Sequence, residues 1–188
     1  MVLYVSDLDG TLVGPDERLS KETVEIINTL IDDGLAFTVA TARSLVSAAE
    51  IIAPLHLRLP VILNNGAFVY HPLEKRYIAA NFLPPAVVER LVADCRRHGV
   101  SPTLHLLTGE GELRVYYREI IHPGEKHYIV GRQANGDRRF CRVDDLRPAP
   151  GDRIYALLVI GDHPELAVLA AKWRSDPEIA VHYAQDIY

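Results

Sequence analysis

Two carboxylates one residue apart, Asp7 and Asp9, stand with Gly10 at the end of a short apolar run near the start of the chain. Leaving a strand at spacing i, i+2, both side chains project into one crevice at the carboxyl edge of a parallel sheet, where such folds bind ligands. Asp7 can attack phosphorus to give an aspartyl phosphate. Asp9 can protonate the leaving oxygen and later deprotonate the water that breaks the intermediate. A phosphoryl group adds negative charge beside two carboxylates, so the chemistry calls for a hard dication with oxygen ligands. Mg²⁺ held by Asp7 and Asp9 answers that need. An Asp-x-Asp-Gly run also opens calcium loops, but the sixth loop position here is Leu12 and the twelfth is Arg18, which rejects that reading.

A second group of residues is Thr41-Ala42-Arg43, where an apolar run from Leu35 to Ala40 gives way to a helix. A hydroxyl and free N–H groups at a helix N-terminus form an anion site. Thr41 either donates to a phosphoryl oxygen or caps the helix. Arg43 either adds charge at that oxygen or pairs with a surface acid. Asn64-Asn65-Gly66 follows a third apolar run and either lines the same crevice or shapes a turn.

The elements that position these groups read as a strand over Val2 to Val5, buried, and a helix over Lys21 to Asp33 with Ser20 as N-cap and Gly34 as stop. A strand over Leu35 to Ala40, a helix over Ser44 to Ala53 and a strand over Pro60 to Leu63 come next, an alternation that implies a parallel α/β sheet. A hairpin, Phe68 to Tyr70 with Arg76 to Ala79, ends that pattern. Pro84-Pro85 marks a hinge or linker, and a domain boundary falls at about residue 83. The second part reads as α+β. It has a helix over Ala86 to His98, a hairpin of Thr103 to Leu107 with Leu113 to Arg118, an irregular stretch to Gly151, a strand over Ile154 to Ile160, a helix over Pro164 to Arg174 and a strand over Ile179 to Tyr183. An antiparallel sheet with its helices on one face is expected. Thr108 to Glu112 holds a G-x-G but opens no helix, and reads as a hairpin turn.

In Asp7-Leu8-Asp9-Gly10-Thr11-Leu12, Thr41-Ala42-Arg43 and Asn64-Asn65-Gly66-Ala67 the chain resembles the haloacid dehalogenase superfamily, and within it the Cof-type sugar phosphatases. The resemblance implies an α/β fold, a Rossmann-like core (residues 1–83, its N-terminal half) with an inserted α+β cap of C2 type (84–188). It also implies Asp7 as nucleophile, Asp9 as acid/base, a phosphate site at Thr41, Ala42, Arg43, Asn65 and Gly66, and Mg²⁺ as cofactor. Ala42 stands where relatives commonly carry Gly. The family's later Lys and its Gly-Asp metal motif normally follow the cap, and neither is found. Lys21, Lys75, Lys126 and Lys172 all lie in other elements, while Gly161-Asp162 precedes a cap helix, where Asp162 reads as an N-cap. The chain is therefore expected to stop about where the core resumes, leaving Val2 to Val5 as an apolar edge that favours dimerisation or aggregation.

Composition narrows the function. Of 188 residues, 48% are hydrophobic and 24% charged, with a formal net charge of −5. There is no basic footprint for nucleic acid or an anionic membrane surface. No run approaches the roughly eighteen apolar residues of a membrane span, and no basic n-region opens the chain. Cys95 and Cys141 lie in no metal or redox spacing, and the eight histidines form no zinc motif. The expected partner is a small phosphorylated metabolite, and a homodimer and a cytoplasmic location are expected. Three functions remain open: a Mg²⁺-dependent phosphatase for a small phosphomonoester, a catalytically incomplete binding fragment, and a phosphomutase-type phosphotransferase.

Overall fold

The apolar run before Asp7 forms strand β1 (Leu3–Ser6), which pairs in parallel with β2 (Ala36–Val39), Leu3 opposite Ala36 and Ser6 opposite Val39. This is a computed structural model, and it describes residues 2–14 and 16–183. The helix between them, α1 (Lys21–Asp32), starts where Ser20 Oγ accepts from the Thr23 N–H at 3.0 Å, and it buries Ile27 and Ile31, one turn apart. It ends at Gly34, whose φ of +98° is readily adopted only without a side chain. After α2 (Leu45–Ile52) comes β3 (Val61–Leu63). It runs parallel beside the end of β2 through the Ala40–Ile62 bridge and the Thr41 N–H bond to Ile62 O, 3.0 Å. The hairpin β4 (Phe68–His71) and β5 (Arg76–Ala80) adds two antiparallel strands beside β3.

β1 is not the buried strand its composition suggests. Val2, Leu3, Tyr4 and Val5 are between 47% and 67% exposed. Successive strand residues face opposite ways, so exposure of all four means that neither face is covered. Among the described residues β1 also has a strand partner on one edge only. Apolar composition alone cannot distinguish a central strand from an uncovered one.

The chain divides into two compact units, Met1–Asn81 and Phe82–Tyr188. The division falls close to the boundary expected at about residue 83, and just past it, in the second unit, Pro84 is the N-cap and Pro85 the first residue of helix α3 (Pro85–Arg97). Pro at the first helical position lacks an N–H that would have no partner anyway. Strands β6 (Pro102–Leu107) and β7 (Leu113–Tyr117), helix α4 (Pro123–Ala134), strands β8 (Phe140–Arg142) and β9 (Arg153–Val159), and helix α5 (His163–Arg174) follow. The sheet order is β8-β7-β6-β9, with β8 parallel to β7 and the other pairs antiparallel.

Three expectations for this unit change. Helix α4 lies in the stretch read as irregular, because its cap is His122. The His122 Nδ1 accepts from Gly124 N, and Glu125 Oε2 accepts from His122 N at 3.0 Å, a capping box without Ser or Thr. The helices cover both faces of the sheet rather than one: Leu104 and Leu106 pack with Val88 of α3, while Val115, Tyr117 and Phe140 pack with Ile129 of α4. Residues 179–183 form no strand; Tyr183 instead sets its ring 5.8 Å from that of His163. Asp162 does occupy the N-cap position of α5, but its side chain makes no cap bond and lies 3.5 Å from His122 Nε2. Asp94 of α3 ties that helix to α5, accepting from Lys172 Nζ at 2.7 Å and Trp173 Nε1 at 3.0 Å and pairing with Arg97.

Among the described residues no helix is long and apolar enough to cross a membrane.

Candidate active site

Beyond β1 the chain folds tightly around Leu8, whose side chain is fully buried and whose carbonyl accepts N–H bonds from Thr11, Leu12 and Val13 at 3.2, 3.0 and 2.9 Å. Gly10, at φ +72°, makes this turn possible. Burying Leu8 turns its neighbours Asp7 and Asp9 outward, and both are exposed. Asp7 Oδ1 accepts the Leu8 N–H at 2.7 Å. No basic side chain pairs with Asp7 among the described residues.

Thr41 lies where β2 has ended and α2 is about to begin, held beside β1 by the Ala40 N–H bond to Ser6 O, 2.8 Å. It is buried, and its Oγ1 accepts the Arg43 N–H at 3.1 Å. The Asn64–Gly66 turn closes the other side. Asn64 N donates to Arg43 O at 3.0 Å and Asn65 N to Thr41 O at 3.2 Å. Asn64, Asn65 and Gly66 all have positive φ, at 51°, 55° and 88°. Left-handed backbone costs non-glycine residues roughly 1–2 kcal/mol each, and Asn tolerates it best. Three such residues in succession are therefore retained by what they hold, the carbonyls on either side of Ala42. Ala42 is exposed, and neither its N–H nor that of Asp9 has an acceptor among the described residues. Two open N–H groups beside the ends of paired strands are what a bound oxyanion requires.

Arg43 lies on the carboxylates. Its Nε and NH2 donate to Asp9 at 2.9 and 2.6 Å, and its NH1 to Glu17 Oε2 at 3.1 Å. The hydrogen bonds from Arg43 hold the Asp9 carboxyl below the usual carboxylate range, against the opposing pull of partial burial. The same partners raise the Arg43 guanidinium above its ordinary value. Asp7 and Asp9, alike in sequence, thus differ in setting: Asp9 is clamped by a guanidinium and Asp7 is left open. Glu17 is a member of this cluster that sequence reading missed. It has a left-handed φ of 55° in a turn closed by its N–H to Gly14 O, and its only sequence signal is an acid within a turn-forming stretch.

For a metal the donors fit Mg²⁺ in kind. That ion takes one or two carboxylates and fills its remaining positions with water and phosphate oxygens. Asp7 offers an unpaired carboxylate beside exposed backbone, whereas the Asp9 carboxylate is engaged by Arg43. No group of three His, Cys, Asp or Glu side chains converges among the described residues. Of the expected site residues, the structure joins Asp9 to Arg43 directly and Thr41 to Asn65 through backbone. Asp7 is linked to them only through the strand ends, with Gly66 completing the turn.

The fold is shared with solved haloacid dehalogenase-like hydrolases. One from Bacteroides thetaiotaomicron superposes with a TM-score of 0.69 at 20% identity, over 97% of this chain and 67% of that one. One from B. subtilis gives 0.66 at 18% identity, over 93% and 66%. Residues 4–186 match the model of the haloacid dehalogenase-like hydrolase family, and the chain belongs to that family. It is 31% identical over 160 residues to the 5-amino-6-(5-phospho-D-ribitylamino)uracil phosphatase YitU of Bacillus subtilis, covering 84% of this chain and 55% of that protein. It is 25% identical over 172 residues to the HMP-PP phosphatase of Escherichia fergusonii, covering 89% and 57%. The chain thus spans little more than half the length of these curated relatives.

Proposed function

We propose that this chain carries the nucleophile and phosphate cradle of a Mg²⁺-dependent phosphatase for a small, sugar-phosphate-like phosphomonoester. The observation that carries this reading is the unequal setting of the two carboxylates, Asp7 open and Asp9 clamped by Arg43, whose guanidinium Glu17 also holds. Carboxylates placed in different environments take different roles. In this reading Asp7 attacks phosphorus, the Asp7 Oδ–P bond forms as the bond to the leaving oxygen breaks, and Asp9 delivers a proton to that oxygen. Asp9 then takes a proton from the water that cleaves the acyl phosphate, regenerating Asp7. The Ala42 N–H and the Thr41 hydroxyl receive the phosphoryl oxygens. Arg43 favours ionised Asp9, the form needed for the water step, so loading Asp9 with a proton for the first step requires the guanidinium to loosen. Mg²⁺, when bound at Asp7, supplies neutralisation of the phosphoryl charge.

The phosphatase names of the relatives support this reading, and the second unit is assigned to the C2-type cap. The partner is a small phosphorylated metabolite. Free thiols at Cys95 and Cys141 agree with a reducing, cytoplasmic site of action. The test is phosphate release, with Mg²⁺, from a panel of sugar phosphates, nucleotides, flavin and pyridoxal phosphates and the phosphoribitylaminouracil of the B. subtilis relative. Asp7→Asn is expected to lower the rate by about 10³-fold or more; equal rates in both proteins overturn the proposal. A second reading, binding without turnover, is favoured by the lack of a converging third metal donor among the described residues. It predicts saturable binding of inorganic phosphate at Thr41 and Ala42 with no release from any substrate.

A further inference from the structure

A small pocket of about 50 Å³ opens in the second unit where α3 ends and β7 ends, lined by Val92, Arg96, Ser101, Arg118, Glu119 and Leu146 among others. The Ser101 hydroxyl donates to the Glu119 carbonyl at 3.1 Å and fixes one rim. Arg142 lies close by, its Nε donating to the Arg118 carbonyl at 3.1 Å. Among the described residues Arg96, Arg118 and Arg142 have no carboxylate within ion-pair distance, and Glu119 has no basic partner. Two of these cations, Arg96 and Arg118, therefore line the pocket beside one anion, Glu119, with Arg142 adjoining through the Arg118 carbonyl, in a chain whose formal charge is −5. By contrast Arg43, Arg58, Arg76, Arg90 and Arg139 each sit on an acid. The last turn of α3 accounts for Arg96, since a helix C-terminus attracts cations. Arg118 and Arg142 lie on strand ends, where no such dipole acts.

We infer that this pocket is an anion site, separate in sequence from the Asp7–Thr41 cluster, that takes a single compact oxyanion group, a phosphate or a carboxylate. Size decides the class. Sites that enclose drug-sized ligands have volumes of roughly 300–1,000 Å³, so a pocket of about 50 Å³ seats one tetrahedral or planar oxyanion group. Guanidinium forks match both oxyanions, and the apolar walls of Val92 and Leu146 strengthen the attraction by displacing water. Glu119 opposes a second negative group at its rim. With exposed arginines the affinity is about millimolar. The inference does not rest on the proposed phosphatase activity.

The experiment is amide-resolved NMR of the full chain titrated separately with inorganic phosphate and with acetate, at constant ionic strength. Saturable shifts at Ser101, Glu119 and Arg118 are expected in the wild type, with the tighter anion identifying the preferred group. The double variant Arg96→Gln/Arg118→Gln is expected to weaken binding tenfold or more. Arg118→Lys, which keeps the charge and loses the fork, is expected to fall between. Both side chains substituted, Arg96 and Arg118, are exposed, so spectra elsewhere remain as in the wild type. Shifts that rise linearly without saturation, or that persist unchanged in the double variant, overturn the site. Phosphate shifts confined to Thr41, Ala42 and Asn65 also overturn it, while leaving the proposed function standing.

Discussion

The two units solve opposite problems with the same materials. In the second, a four-stranded sheet is covered on both faces, by α3 against Leu104 and Leu106 and by α4 against Val115 and Phe140. In the first, strand β1 leaves Val2 to Val5 uncovered, and the groups able to do chemistry stand just past the ends of β1, β2 and β3. Reactive carboxylates and open N–H groups need strand ends that packing leaves accessible, whereas a closed sandwich supplies stability. The first unit also stores strain, in left-handed Glu17, Asn64 and Asn65, at the positions that hold its candidate site.

Substitutions can break this contrast. The largest effect is expected from Leu104→Ala, which empties a fully buried position and costs about 2–5 kcal/mol, read as a lowered urea midpoint; Leu3→Ala in β1 is expected to stay within about 0.5 kcal/mol. Equal losses from the two would show that β1 is packed after all. Next, Asp94→Asn leaves Lys172 without its partner inside the second unit and is expected to cost about 1–3 kcal/mol. Burial raises the Asp94 carboxyl, but its bonds to Lys172, Trp173 and Arg97 outweigh this and hold it below the usual range. Its contribution is complete above the ordinary carboxylate value and is lost as pH falls through the lowered native one. Acid titration of stability in wild type and variant measures that difference.

A separate pH effect falls on His105, whose ring lies 6.0 Å from that of Tyr155 and is pushed down to about 4, by burial first and then by nearby Arg139. Between there and the ordinary value of about 6.5 only the unfolded chain takes up the proton. Stability is therefore expected to fall as pH drops through that window, and His105→Gln is expected to flatten the slope. The smallest effect on stability belongs to Leu3→Lys, which places a charge on the uncovered strand. The urea midpoint is expected to be unchanged, and any concentration-dependent association that sedimentation detects in the wild type is expected to decrease. Association unchanged by the charge would remove β1 as its cause.

Legibility followed the same division. The strands before Asp7, Thr41 and Asn64 and helix α1 with its Ser20 cap were readable, because local apolar runs and cap residues specify them. Helix α4 was not, because His122 replaces the usual Ser or Thr in its capping box, and β8 is three residues whose only support is a parallel neighbour. The 179–183 segment had strand composition but gained no strand partner. Glu17 was missed because its role depends on Arg43, 26 residues away in sequence.

By itself the sequence determined the family and the strand-end placement of the candidate residues, since these depend on spacing along a few residues. Only the tertiary structure decided which carboxylate Arg43 clamps and that both faces of the second sheet are covered. Those outcomes depend on pairings between segments tens of residues apart, which no local pattern encodes.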